Sequence, residues 1–225
     1  MEIKQLENTV NSRVFGLLAG SPGVGKTTQG TTFPKEETLI VSVEDGLLSI
    51  AGSGYAFVEV ENYKELLGLI QDPPKWVKYL YIDSLTEIYD MLQKELSGKF
   101  TSKQNFAKHE ELKLMMAYLI RQSRKLDISV FYTCHIKQEK NGLILEDELA
   151  FDGKMPGEVK KHFDLVFLLQ TRTDNNGQEV REIVTSPSIS KVAKRRVSPW
   201  LDAKINDIEE ANLYALTQKL LGGKQ

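Results

Sequence analysis

Short apolar runs alternate along the chain with longer segments in which apolar residues recur every three or four positions. The short runs predict strands that are buried on both faces, because such strands are apolar at nearly every position. The longer segments predict helices that bury one side. The apolar runs predict five strands in the first part of the chain, at residues 13–20, 38–43, 55–60, 77–83 and 127–135.

One helix is predicted to begin at Lys26. Helical spacing predicts four more, at residues 62–70, 85–96, 106–125 and 208–221. Two further strands, at 163–170 and 178–186, flank a polar turn and predict an antiparallel pair. The polar, glycine-containing stretches at 97–105 and 136–161 are expected to be loops.

The alternation of strands and helices predicts an α/β fold with a doubly wound, mostly parallel sheet and a C-terminal antiparallel strand pair. No internal repeat, low-complexity tract or linker interrupts the pattern. The chain has 225 residues, a length that suits one domain with a sizeable core. We therefore expect residues 1–225 to form a single domain.

Composition narrows the function classes. Hydrophobic residues make up 41% and charged residues 27% of the chain, as in ordinary globular proteins. The formal net charge of -2 excludes a polycation, so contact with nucleic acid would need local basic patches. The chain has three histidines and one cysteine, and these are far apart in sequence except for the adjacent Cys134 and His135, which argues against a zinc cluster.

Cysteine usage and the start of the chain bear on location. A single cysteine, Cys134, excludes an internal disulfide and favours a reducing compartment. The first residues contain no apolar signal core, and no apolar run reaches the length of a membrane span. We therefore expect a cytoplasmic location and no membrane partner.

The segment LLAGSPGVGKTTQG, residues 17–30, contains the pattern G-x-x-x-x-G-K-[ST] between a predicted strand and a predicted helix. Its glycines allow backbone N–H groups to surround phosphates, Lys26 supplies charge to the β- and γ-phosphates, and Thr27 offers a hydroxyl to magnesium. The flanking strand and helix argue against a chance glycine-rich turn. The predicted nucleotide-binding residues are Gly20, Ser21, Pro22, Gly23, Val24, Gly25, Lys26, Thr27 and Thr28.

Asp83 ends the predicted strand at 77–83, in the segment YLYIDSLTEI. An acid at the tip of a buried strand can organise the magnesium ion of a phosphate-loop enzyme, and this is the Walker B position. An aspartate there can instead cap the next helix. Its combination with the phosphate loop favours the metal role, so Thr27 and Asp83 are the predicted magnesium ligands.

Four segments, GSPGVGKTT, VSVED, YIDS and FYTCHIK, occur in the order found in RecA-type recombinase cores, which the chain resembles over about residues 13–194. Within that superfamily it is most similar to small phage-encoded RecA-core ATPases known as nucleotide-binding or single-strand annealing proteins. The resemblance implies a RecA-like sheet, ATP as the nucleotide, Mg²⁺ as the metal and hydrolysis of ATP.

The resemblance also implies roles for two further residues. Glu44 would activate the attacking water, with the adjacent Asp45 as the alternative. A carboxylate at the end of a parallel strand can orient water, although both acids could simply end the strand. His135 would stand where many relatives have a glutamine that senses the γ-phosphate, or it is a structural histidine.

A basic cluster, KVAKRR at residues 191–196, follows the predicted strand pair. Charge runs are usually solvated, but hydrolysis of a triphosphate requires cations beyond Lys26. RecA-like relatives supply them from a neighbouring subunit in this region, so the resemblance implies that Lys194 or Arg196 completes the adjacent site. Such head-to-tail contacts give a homo-oligomeric ring or filament. The chain has no Phe-x-x-Ala assembly motif, so the sequence does not identify the interface.

Two segments are candidates for contact with single-stranded DNA. The stretch 136–161 corresponds to the DNA-lining loop of the resembled family, but acids accompany its lysines, which favours a solvated loop. The segment 97–109 combines lysines and phenylalanines with no acid, which suits backbone tracking and base stacking. Its predicted DNA-binding residues are Lys99, Phe100, Lys103 and Lys108. Phe100 or Phe106 could instead belong to the hydrophobic core, and Phe106 is expected to belong to it if the helix begins at that residue.

These features predict a DNA-stimulated ATPase that acts on single-stranded DNA in phage-type recombination or annealing, with replication or recombination proteins as possible partners. Its location would be the bacterial host cytoplasm if the protein is phage-encoded. The alternative is a nucleotide-dependent helicase loader or regulatory interaction module with little turnover. A small-molecule kinase fits less well, because the chain lacks an arginine-rich lid and has an acid at Glu44.

Overall fold

The structure is a computed structural model that describes residues 13–43, 46–100, 102–188, 190–197 and 202–222. A single sheet forms its centre. The strands are β1 (Phe15–Gly20), β2 (Thr38–Ser42), β3 (Ala56–Glu59), β4 (Tyr79–Asp83), β5 (Ser129–Asn141), β6 (Ile144–Leu149), β7 (Leu165–Thr173), β8 (Glu179–Val184), β9 (Lys194–Arg195) and β10 (Ile208–Glu210).

The main path of the sheet has the order β10-β8-β7-β1-β5-β4-β2-β3. The six strands from β7 to β3 along this path are parallel, and β8 is antiparallel to both of its neighbours. The carboxyl ends of the parallel strands therefore meet along one side, the carboxyl edge, where α/β folds bind ligands. The mostly parallel α/β sheet with a C-terminal antiparallel pair is confirmed.

Helices connect the strands. They are α1 (Lys26–Gln29), α2 (Tyr63–Gln71), α3 (Leu85–Ser97), α4 (Asn105–Arg124), α5 (Met155–Lys160) and α6 (Leu213–Leu220). The side chains of Asn62, Ser84 and Asn212 cap α2, α3 and α6, because each accepts the N–H of the residue three positions later. Among the described residues, no helix combines the length and apolar character that crossing a membrane requires.

Two hydrophobic clusters cover the two faces of the sheet, because successive side chains of a strand point to opposite sides. On β1, Leu17 belongs to the cluster that includes residues of α2, α3, α4 and α5, and Leu18 belongs to the cluster that includes α6. On β5, Tyr132 and Phe131 divide in the same way. Both faces are therefore covered by helices, as a doubly wound sheet requires.

The expectation of a loop at residues 136–161 is wrong. β5 continues to Asn141 and pairs with β6 to form the β5–β6 hairpin, and α5 follows. Most residues of the hairpin are at least partly exposed, so they show no buried apolar pattern, and cross-strand pairing defines the ribbon. The available signal was Gly142 after Asn141, since this glycine, with a φ of 63°, begins the two-residue turn.

The helix expected at 208–221 is partly wrong. Residues Ile208–Glu210 form β10, which pairs with β8 through Ile208 and Val184. The helix begins after Asn212, whose side chain accepts the N–H of Ala215 at 2.9 Å. An asparagine inside an apparently helical pattern is a start signal when its oxygen faces the helix backbone, and that start was overlooked.

The pairing of β1 with β5 begins with a side-chain hydrogen bond, which provides a test of the register. The buried Ser129 hydroxyl accepts the N–H of Val14 at 3.0 Å. Ser129→Ala leaves this buried donor unpaired, so we expect a loss of about 1–3 kcal/mol in the free energy of unfolding. Urea unfolding measures the change, with Ser188→Ala on the surface as the control. Equal midpoints for the Ser129 variant and wild type would contradict the expectation.

Candidate nucleotide-binding site at the carboxyl edge

The phosphate loop lies between β1 and α1, and its glycines are required by geometry. A Cβ on Gly20 would lie 2.8 Å from the carbonyl oxygen of Leu169 and 2.9 Å from a methyl group of Val24. Gly23 and Gly25 have φ angles of 75° and 101°, which side chains rarely allow. The sequence therefore folds here into a tight cradle of backbone at the carboxyl edge.

Lys26 lies at the centre of this cradle. The residue is only 5% exposed. Its ammonium donates to the carbonyl oxygens of Gly20 at 3.0 Å and Ser21 at 2.9 Å, and lies 3.1 Å from Nδ1 of His135. The cation is thus fixed by the loop itself and by β5. Its role as the phosphate-binding lysine stays a prediction.

His135 lies beside the phosphate loop, at the point where β5 leaves the parallel sheet, in register with Gly20. Its backbone N–H donates to the Thr86 hydroxyl at 2.9 Å. Burial and the Lys26 charge lower the pKa of His135, and the Asp83 charge only partly opposes them. The neutral imidazole can therefore accept a hydrogen bond from the lysine at Nδ1. A sensor of the nucleotide would occupy this position, and the role remains a prediction.

Asp83 joins the phosphate loop to the sheet. The Thr27 hydroxyl donates to its Oδ2 at 2.5 Å, the Thr133 hydroxyl donates to its Oδ1, and Asp83 is 6% exposed. A carboxylate and a hydroxyl are hard oxygen donors of the kind that Mg²⁺ prefers. Within the described residues, no group of three or more His, Cys, Asp or Glu side chains could hold a metal alone. Phosphate oxygens and water would therefore complete the coordination.

Sequence reasoning missed two residues of this edge, Thr133 and Tyr81. Thr133 lies two positions before His135 on β5, so the strand alternation was the available signal. Tyr81 is fully buried, and its hydroxyl donates to the carbonyl oxygen of Lys26 at 2.5 Å. Burial and the Asp83 charge raise the pKa of Tyr81 well above its usual value, so its hydroxyl stays protonated and remains a donor.

Glu44, the predicted residue for activating water, lies outside the described residues, as does Asp45. Their nearest described neighbours in sequence are well placed. Ser42 pairs with Asp83 in the sheet, and the N–H of Val43 donates to the carbonyl oxygen of Asp83 at 2.9 Å. β2 therefore ends beside the proposed metal site, and the role of Glu44 stays a prediction.

The two basic residues predicted to act on a neighbour lie far from the chain's own phosphate loop. β9 pairs with the amino end of β7, whereas the phosphate loop follows the carboxyl end of β1. The Lys194 ammonium donates to the carbonyl oxygens of Lys160 at 2.8 Å and Phe163 at 2.6 Å, so it is engaged within its own chain. The Arg196 side chain is 70% exposed and lies 3.8 Å from an oxygen of Asp164.

The two phenylalanines of the predicted DNA-binding segment, Phe100 and Phe106, differ in burial from what the sequence predicted. Phe100 packs against the main core cluster, and Phe106 is 80% exposed, so the expectation that Phe106 is core is wrong. Lys99 and Lys103 are exposed, while Lys108 donates to the Ser97 hydroxyl at 2.7 Å. The expected loop contains a short 3₁₀ turn at Ser102–Gln104.

Comparisons with known proteins bear on the family and the fold of the chain. A family model described as an AAA domain matches residues 12–197. A KaiC-like protein of the hyperthermophilic archaeon Pyrococcus horikoshii OT3 has a similar structure, with a TM-score of 0.50 and 17% sequence identity over 76% of this chain and 78% of that one. No curated protein matches the chain. The structural match supports the RecA-like arrangement of the sheet.

The contact between Lys26 and His135 predicts how stability depends on pH. Because the pKa of His135 is lowered on folding, the unfolded chain binds a proton more readily, and stability should fall as the pH drops below about 6.5. The pKa of His162 is also lowered, chiefly by burial, so His135→Gln should remove only part of this dependence. Urea midpoints between about pH 5.5 and about pH 7.5 measure it.

The exposed His109 supplies the matched control for this experiment. His109→Gln should retain the pH dependence of wild type, and His135→Gln should show a flatter one. If the His135 variant has the slope of wild type, the imidazole does not stay neutral beside Lys26.

Proposed function

Because the chain belongs to the AAA domain family, as a P-loop ATPase with a RecA-like fold, we propose that it hydrolyses ATP and uses this cycle to act on single-stranded DNA. The biological setting that we propose is phage-type recombination or annealing. Nucleotide binding follows from the family and from the cradle around Lys26. The action on DNA rests on how the nucleotide site connects to the rest of the carboxyl edge.

In the proposed reaction, the phosphate loop binds the triphosphate and Lys26 compensates the charge of its terminal phosphates. Thr27 and Asp83 would hold magnesium, which neutralises charge on the phosphate oxygens when it is bound. Glu44 would orient the attacking water by accepting its hydrogen bond. His135 would respond to the phosphate that Lys26 contacts, because its Nδ1 lies 3.1 Å from that ammonium.

The continuity of β5 carries the proposal. His135 contacts the phosphate-binding lysine, and the same strand continues for six residues into the β5–β6 hairpin. The carbonyl oxygen of His135 also accepts the N–H of Ala150, just after β6, at 2.9 Å. Both arms of the hairpin are thus attached at the histidine. A change in its hydrogen bonding on hydrolysis would be transmitted to the hairpin.

The hairpin and the basic segment offer surface for a nucleic acid. The hairpin turn carries Leu143, which is 100% exposed, followed by the exposed Leu145. Lys99 and Lys103 are exposed on the segment before α4. Single strands are bound without sequence preference by cations that follow the phosphate backbone and by aromatic rings that stack on the bases. The lysines supply the cations, and the leucines would offer the bases apolar contact without stacking.

The same hairpin favours a second candidate function, a nucleotide-dependent interaction module of the helicase-loader type. Its tip is aliphatic rather than aromatic, so it lacks the rings on which bases stack. Its arms carry four acids and two lysines, a balance that suits a protein partner better than a phosphate backbone. These charged residues are Lys137, Glu139, Lys140, Glu146, Asp147 and Glu148.

ATP hydrolysis with and without single-stranded DNA separates the two functions. We expect stimulation by DNA in wild type, no hydrolysis in Lys26→Ala, and loss of stimulation alone when Leu143 and Leu145 are changed to serine. Basal hydrolysis should persist in the leucine variant, because neither residue contacts the phosphate loop. If single-stranded DNA does not change the rate of ATP hydrolysis, the proposal is rejected and the interaction module is favoured.

The salt dependence of DNA binding tests the basic segment separately. For single strands, log K falls with log salt by about 0.7 for each phosphate neutralised. Changing Lys99 and Lys103 together to alanine should therefore reduce this slope by about 1.4. The double change of the exposed Lys64 and Lys75 removes the same charge elsewhere and should leave the slope unaltered. Equal slopes for both double variants would exclude the segment.

Assembly into a homo-oligomeric ring or filament is also part of the proposal, with Arg196 rather than Lys194 as the residue supplied to a neighbour. The ammonium of Lys194 is held by two carbonyl oxygens of its own chain, and burial, with the charge of Arg196, lowers its pKa. The mostly exposed guanidinium of Arg196 can reach another subunit.

Mixing two inactive variants tests the shared site. Lys26→Ala protein retains Arg196, and Arg196→Ala protein retains its nucleotide site. An equal mixture should regain roughly one quarter of wild-type hydrolysis, since half the sites bind nucleotide and half of their neighbours supply the arginine. Arg121→Ala, at another exposed arginine, should be active alone. Light scattering checks that the mixed variants assemble. If the assembled mixture regains no hydrolysis, or if Arg196→Ala protein is fully active alone, the shared site is excluded.

A further inference from the structure

Arg181 lies on β8 beside the phosphate loop. In the antiparallel pair of β7 and β8, Arg181 is opposite Thr171. Thr171 lies two residues beyond Leu169, the partner of Gly20 at the end of β1. The ribbon of β7 and β8 therefore extends past the carboxyl edge, alongside the loop that begins at Gly20.

The side chain of Arg181 faces the loop. Arg181 and Ile183 are two positions apart on one strand, so they point to the same face. Ile183 packs in the cluster that contains Val24 of the phosphate loop. A Cβ placed on Gly25 would lie 3.4 Å from Nε of Arg181 and 3.7 Å from its Cζ. The guanidinium therefore lies beside the loop, next to the space that a side chain at Gly25 would fill, one residue before Lys26.

The charge of Arg181 has no protein counter-ion in the described part of the chain, where no carboxylate lies within ion-pair distance of it. The residue is also exposed. Arg172, on the neighbouring strand, differs in this respect, because its Nε lies 2.6 Å from Oε2 of Glu182. A cation beside a phosphate loop that is not neutralised by the protein is available to an anionic ligand.

We propose that Arg181 binds the nucleotide in its own subunit, at the α-phosphate. The groups that mark the metal-binding end of the triphosphate, Asp83 and His135, come from β4 and β5 on one side of β1. Arg181 comes from β8, on the other side of β1. The β- and γ-phosphates would lie on the side where Thr27 and Asp83 would hold magnesium, so the opposite side would receive the α-phosphate and the nucleoside. This inference rests on the nucleotide site and is independent of DNA.

Equilibrium titration with ATP and with ADP, both without DNA, tests the assignment. Arg181→Ala should weaken binding of ATP and ADP by the same factor, about 10- to 100-fold, because both carry the α-phosphate. Arg181→Lys should recover part of the affinity, since it restores charge without the planar fork. Arg172→Ala, which removes a neutralised arginine from the same ribbon, should bind both nucleotides as wild type does.

Steady-state hydrolysis supplies a second readout. Arg181→Ala should raise KM and leave kcat unchanged at saturating ATP, because the lost contact is equal in the ground and transition states. Unaltered affinity for both nucleotides would overturn the proposal. Weakening of ATP alone, or loss of kcat with constant KM, would also overturn it and assign Arg181 to the γ-phosphate. Thermal unfolding without nucleotide checks that the variants fold. If Arg181→Ala does not fold, Arg181→Gln is used in its place.

Discussion

The buried ammonium of Lys26 is the constraint on which the arrangement of the carboxyl edge depends. A charge removed from water needs polar partners, and this one is held by the carbonyl oxygens of Gly20 and Ser21 and lies beside Nδ1 of His135. These partners meet only if β1 and β5 are parallel neighbours with Gly20 opposite His135. β4 is then the next strand, which brings Asp83 within reach of Thr27. The order of the central strands and the nucleotide site are thus one arrangement.

The parts of the fold that bury apolar surface were predictable from the sequence. The runs that became β1, β4 and β7 are apolar because both faces of the sheet are covered, and their period is visible without a structure. The β5–β6 hairpin was not predictable in this way, because exposed ribbons show no buried period. Its turn at Gly142 was the one local signal. Likewise, Asn212 divided an apparent helix into a strand and a helix through a capping bond.

In the candidate site, too, some residues could be predicted from the sequence and others could not. Lys26 and Thr27 are marked by a motif and Asp83 by a strand end, so the sequence alone was enough to make them candidates. Tyr81 and Thr133 act through contacts between strands that are distant in sequence, and only the register of the sheet reveals them. Phe100, before α4, and Phe106, in its first turn, show what composition does not reveal. Composition identified an aromatic segment, but whether a ring packs inward depends on the core beneath it.

The contact between Tyr81 and Gly30 couples two positions that are far apart in sequence. A Cβ on Gly30 would lie 2.9 Å from the tyrosine ring, while the hydroxyl of the same ring holds the carbonyl oxygen of Lys26. A larger residue at 30 therefore requires a smaller one at 81, and that exchange removes the anchor of α1. Homologous chains should vary at these two positions together or at neither. A directed-evolution library that randomises them jointly would recover functional pairs that single-site libraries exclude.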